Sequence, residues 1–114
     1  MEEKNSFLKN TIDIESPNKN IVPITTSINN DGKLSIGGCS LEDLVKKYDS
    51  PLYILDEITL RNSCRAYKKA LEKYYPGESL PIYASKANSS IFMSNLIASE
   101  GFGLDAVSEG ELLT

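Results

Sequence analysis

At 114 residues the chain has room for one domain at most. Twelve Lys and Arg stand against sixteen Asp and Glu, a formal charge of −4 with no basic cluster, which argues against nucleic acid as a partner. Hydrophobic residues at 40% and charged residues at 25% are the balance of a globular domain. The chain has no histidine, so a Ser-His-Asp triad, imidazole acid–base catalysis and zinc held by imidazole are all excluded within it.

No apolar run approaches the ~20 residues of a membrane-spanning helix. The start, Met1-Glu2-Glu3-Lys4-Asn5, has neither the charge nor the apolar stretch of a targeting segment. The expectation is a cytoplasmic protein with no membrane partner, in which Cys39 and Cys64 stay reduced thiols. Residues 1–20 show no sustained period and read as a mobile leader.

Residues 21–28 are rich in β-branched side chains and predict a strand, with Pro23 placing it at a sheet edge or starting it late. Asp31-Gly32 then predicts a hairpin turn into a second strand at Lys33–Ile36, which Gly37-Gly38 breaks. Residues 21–39 therefore read as a β arm. From Ser40 the period becomes helical. Ser40 with Asp43 reads as a variant capping box, and Leu41, Leu44, Val45 and Tyr48 fall on one face.

Asp49-Ser50-Pro51 ends that helix, and Leu52–Leu55 reads as a short apolar strand. Asp56 caps a second helix with its stripe at Leu60, Cys64, Tyr67, Leu71 and Tyr74. Arg61, Lys68, Lys69 and Lys73 fall off the stripe, toward water. Leu80–Ala84 predicts another strand. A third helix follows over 90–100 with Met93, Leu96 and Ile97 as its apolar face and Gly101 as its C-cap. Residues 103–107 predict a third strand. The βαβαβ order predicts a parallel sheet, either doubly wound or the opening of a barrel.

Ser108-Glu109-Gly110-Glu111 is a complete capping box with only Leu112, Leu113 and Thr114 after it. The expectation drawn from this is an N-terminal piece of a larger protein.

Functional groups of parallel α/β folds collect where strands end. Lys86 follows Ala84 by two residues, among the small neighbours Ser85, Ala87 and Asn88. A lysine at such a mouth can act as a nucleophile toward carbonyl groups, or simply be solvated.

Ile82-Tyr83-Ala84-Ser85-Lys86-Ala87-Asn88 resembles the Y-A-x-K-A-N segment of pyridoxal-phosphate decarboxylases that share the alanine racemase barrel. Pro51-Leu52-Tyr53-Ile54-Leu55-Asp56-Glu57 resembles the opening strand of the diaminopimelate decarboxylases. Gly101-Phe102-Gly103-Leu104-Asp105-Ala106-Val107-Ser108-Glu109-Gly110-Glu111-Leu112 resembles their G-x-G-x-D-V-V-S-x-G-E-L segment. The three segments keep their order and cover about residues 36–114. Ser85 and Glu109 depart from the pattern, standing where valine and glycine are expected.

The resemblance implies the following. The fold would be α/β, the opening portion of a pyridoxal-phosphate-binding (β/α)₈ barrel over residues 40–114. The β hairpin before it would join a C-terminal β domain. Lys86 would bind pyridoxal 5′-phosphate as a Schiff base, and Asp105 would hold the lysine's ammonium or orient the cofactor. The whole protein would decarboxylate meso-2,6-diaminopimelate to L-lysine, working on this small amino acid as a homodimer. The phosphate-binding loop would come from later strands, so the 114-residue chain alone is expected to be inactive. A decarboxylase of another basic amino acid, of ornithine or arginine type, and a non-catalytic fragment are the alternatives.

Overall fold

The computed structural model describes residues 21–113, so the leader expected over residues 1–20 lies outside the described residues. The chain divides into two compact units, one up to Thr59 and one from Leu60 onward.

The first unit contains a three-stranded antiparallel sheet of β1 (Ser27–Ile28), β2 (Leu34–Ile36) and β3 (Cys39–Ser40), in that order. β1 is an edge strand and starts late, six residues into the β-branched run that opens at residue 21. Pro23 explains the delay: it has no N–H for a ladder, and its carbonyl instead accepts from the Thr26 N–H at 2.9 Å in a turn. Asn29 organises the β1–β2 connection, its Oδ1 accepting from the N–H groups of Asp31 at 3.0 Å and Lys33 at 2.9 Å. Gly32 takes a left-handed φ of 73°, the position that a three-residue hairpin loop reserves for glycine.

Gly37-Gly38 ends β2 as expected. With φ values of 58° and 79° the pair forms a second tight turn, which leads into β3. β3 runs directly into α1 (Leu41–Tyr48), so Ser40 is at once a strand residue paired with Ser35 and the helix N-cap. Its hydroxyl makes no capping hydrogen bond, contrary to the capping box expected there. The helix start is supported by charge instead, with Glu42 and Asp43 in the first turn and Lys46 and Lys47 in the last.

Residues 52–55, expected as a strand, carry no regular structure, and Tyr53 is fully exposed. A strand exists only through ladder bonds to a neighbour, and among the described residues none is paired with this segment. Asp56 caps α2 (Glu57–Tyr74) as expected, its Oδ2 accepting from the Thr59 N–H at 3.0 Å and from the Thr59 hydroxyl.

The second unit carries the parallel pair. β4 (Ile82–Ala84) and β5 (Gly103–Asp105) align Ile82 with Gly103, Tyr83 with Leu104 and Ala84 with Asp105. Between them lie a 3₁₀ turn at Ser85–Ala87 and helix α3 (Ile91–Ser99), a βαβ crossover. Ser90 caps α3, its hydroxyl accepting from the Met93 N–H at 3.3 Å. Cys64 of α2 packs with Met93, Leu96 and Ile97 as the buried core, bordered by Leu60, Tyr83 and Phe102. Tyr67 and Tyr74 continue the α2 stripe but stay largely exposed, as do Tyr53 and Tyr75, so none of these tyrosines packs in the core. The last element is α4 (Glu109–Leu113).

Gly101 lies one residue beyond the C-cap Glu100, with its N–H on the Ala98 carbonyl at 2.9 Å and φ at 78°. A Cβ there would meet only Lys68 Nζ, at 3.1 Å, the far end of a flexible side chain. Gly101→Ala is therefore expected to cost about 1–2 kcal/mol, nearly all from the left-handed backbone. A urea titration of the two proteins checks this.

Candidate functional site

The parallel register brings the carboxyl ends of β4 and β5 side by side, with Ala84 opposite Asp105. Lys86 lies in the 3₁₀ turn that follows β4, exposed, with no hydrogen bond or ion pair to any described residue. Asp105 ends β5 with its side chain also exposed. Among the described residues no ion pair joins the two, so both charges face open space at the strand mouth. Cys39 and Cys64 are both free thiols, and burial pushes the Cys64 thiol up.

The turn that carries Lys86 is tied down around it. The Ser85 hydroxyl lies 2.9 Å from the Asp105 carbonyl and 3.1 Å from Glu111 Oε1. The Tyr83 hydroxyl donates across the turn to the Asn88 carbonyl at 3.3 Å. Asn88 Oδ1 accepts from the Ser90 N–H at 3.0 Å, which is a local turn role.

The capping box at Ser108 forms as the sequence predicts. The Glu111 N–H donates to the Ser108 hydroxyl at 3.3 Å, and that hydroxyl donates to Glu111 Oε2 at 3.0 Å. The Val107 N–H also donates to Oε2, at 2.8 Å. This backbone donor, followed by the hydroxyls of Ser108 and Ser85, holds the Glu111 carboxyl below the usual carboxylate range. A group depressed in the folded state stabilises fully above its ordinary pKa of ~4.3 and loses that contribution as pH falls through the lower folded value. An NMR titration of the Glu111 carboxyl carbon should therefore find a midpoint below the free-peptide value. A midpoint at or above it would contradict the bonded geometry.

A second cluster was not legible in the sequence. Arg65 donates from Nε and Nη2 to the two oxygens of Glu100, both at 3.0 Å, and Arg61 Nη1 reaches Oε1 at 2.7 Å. Lys68 Nζ donates to the Glu100 carbonyl at 3.1 Å. The two guanidinium groups, Arg65 first and then Arg61, hold the Glu100 carboxyl below the usual range. Arg61 and Lys68, expected to point to water, instead fasten α2 to the end of α3. The available signal was Glu100 itself, since a carboxylate at a helix C-terminus opposes the helix dipole and needs cations.

The cavity of about 660 Å³ in this unit is a different feature. It is lined by apolar residues including Leu60, Tyr67, Ile82, Met93 and Phe102, and neither Lys86 nor Asp105 borders it. It borders the core, with Cys64, Met93 and Ile97 in its wall.

The βαβ crossover thus sets the turn that carries Lys86 and the strand end that carries Asp105 at the same edge of the parallel pair. Residues 57–114 match the family described as pyridoxal-dependent decarboxylase, pyridoxal binding domain. The chain belongs to that family. It is 52% identical over 99 residues to a diaminopimelate decarboxylase of Synechocystis, an alignment covering 87% of this chain and 21% of that protein. It is 41% identical over 91 residues to the enzyme of that name from Bacillus subtilis, covering 79% of this chain and 20% of the relative. The Bacillus methanolicus enzyme is 40% identical over 90 residues, with 79% and 21% covered. The chain thus spans about a fifth of the length of these relatives. Among the described residues no helix is long and apolar enough to cross a membrane.

Proposed function

We propose that the whole protein removes carbon dioxide from meso-2,6-diaminopimelate to give L-lysine, with pyridoxal 5′-phosphate held on Lys86. The observation that carries this reading is the 52% identity to a diaminopimelate decarboxylase over a stretch that includes most of the chain. The residues present fit the cofactor: an amine with no competing partner, at a strand mouth, between the small residues Ala84, Ser85 and Ala87. When bound, pyridoxal phosphate supplies a ring that takes up the electron pair left by the departing carboxylate.

The chain's own residues do the rest. Lys86 Nζ would hold the cofactor through its carbonyl carbon with loss of water, a role that needs a primary amine able to become neutral. Asp105, at the end of the neighbouring strand, would hold the Lys86 ammonium or orient the cofactor. The short turn and its tethers keep the amine at the mouth, which spares the reaction the entropy of finding it. The hairpins at 21–39 would join a β domain, and residues 40–114 would open a (β/α)₈ barrel, in a cytoplasmic homodimer. The 114-residue chain by itself would not decarboxylate.

The test is carbon dioxide release by the whole protein from meso-diaminopimelate, ornithine and arginine in parallel. Release from diaminopimelate alone, with lysine as product, is the expected result. Preferential turnover of ornithine or arginine would overturn the substrate assignment.

A further inference from the structure

Ser85 has no part in the family pattern, where valine is expected, and yet it is among the most buried polar residues described, at 5% exposure. Burying a hydroxyl where a methyl would fit costs free energy unless the hydroxyl is well bonded. Here it is. Its oxygen lies within hydrogen-bond distance of two acceptors, the Asp105 carbonyl and Glu111 Oε1, which share its one proton. Those two acceptors belong to the end of β5 and to α4, whereas Ser85 opens the turn that carries Lys86. The bond therefore joins three elements at the strand mouth. Valine could not make it and would leave Glu111 Oε1 without this donor.

We propose that Ser85 is a positioning residue: its hydroxyl clamps the 85–87 turn to the end of β5 and to Glu111, and so sets the Lys86 amine for attachment of a carbonyl cofactor. The inference rests on Lys86 being the attachment site. Ser85 touches no substrate or cofactor; it acts through the residue that follows it. The Tyr83–Asn88 bond closes the turn from its other side. Loss of the Ser85 hydroxyl unties the turn from β5 and Glu111, and lets the amine wander from its attacking geometry.

The experiment follows the rate at which pyridoxal phosphate attaches to Lys86 in the cofactor-free whole protein, by borohydride trapping and peptide mapping. Ser85→Ala and Ser85→Val should each slow labelling of Lys86 about tenfold relative to the other lysines, the scale of a displaced reacting group. Ser85→Thr, which keeps a hydroxyl, should label at close to the wild-type rate. Glu111→Gln, which removes the charged acceptor, should label slowly, and combining it with Ser85→Ala should add little.

A merely structural serine would lower the thermal midpoint of its variants while leaving the labelling rate of the folded protein unchanged, and that result overturns the proposal. So does failure of threonine to rescue. Should Ser85→Ala not fold, the threonine and Glu111→Gln rates decide. If the wild-type protein itself carries no label at Lys86, the attachment reading fails together with this one. If it does, equal rates in all variants sink only the positioning role.

Discussion

Replacing Lys86 by alanine should lower decarboxylation by the whole protein by on the order of a thousandfold or more, the scale on which losing a covalent nucleophile acts. The expectation follows from geometry as well as family. Lys86 has an amine at this strand mouth with nothing described to occupy it. Of the other lysines, Lys33 is paired with Glu42 and Lys68 with the Glu100 carbonyl. Lys86→Arg should be as inactive as Lys86→Ala, because guanidinium keeps the charge but stays protonated and cannot attack a carbonyl. Steady-state rates of the two variants check this, with thermal unfolding as the control. Neither change touches the core, so both proteins should unfold near the wild-type temperature. An arginine variant with substantial activity would show that charge alone, and not the amine, is what the site requires.

Leu96→Ala should act in the opposite way, on the fold rather than on the chemistry. Leu96 is 3% exposed and packs with Cys64, Met93 and Ile97, the buried cluster of its unit. Truncating such a leucine removes its transfer energy and leaves a cavity, a loss of about 2–5 kcal/mol. Against a typical total of ~5–15 kcal/mol that is a large share. Leu104 of β5 is the natural comparison, since it is 44% exposed. Leu104→Ala should cost under about 1 kcal/mol. Denaturant midpoints of the two variants distinguish them, and equal losses would contradict the core as described.

The parts of this fold that could be read from sequence are those whose cause is local. α3 was legible because its start near Ser90, the Met93, Leu96 and Ile97 stripe and Gly101 all lie within about three turns; the stripe is buried as expected, while the cap falls on Glu100, one residue before Gly101. The Ser108–Glu111 box was legible for the same reason. Ser40 shows the limit of such a signal. The residue type fits a cap, but pairing with Ser35 already determines what Ser40 does. Leu52–Leu55 shows another limit, because β-branched and aromatic composition can suggest a strand while only a neighbouring strand can make one.

The candidate site divides in the same way. Lys86 stood out through its position just past a strand and Asp105 through the family resemblance, and the register Ala84 to Asp105 brings the ends of their strands together. Ser85 was seen only as a departure from a pattern. Its partner Glu111 lies 26 residues away, and no period or spacing links the two. Arg61 and Arg65 likewise find Glu100 at separations of 39 and 35 residues. Contacts of that range come from the crossover, which returns the chain beside itself, and so belong to topology rather than to local sequence.

The most direct measurement of the central claim is reduction of the whole protein with borohydride after incubation with pyridoxal phosphate, followed by peptide mapping. The account predicts a single modified peptide, carrying the cofactor on Lys86. Label on a different lysine, or cofactor that binds without covalent attachment, would contradict it.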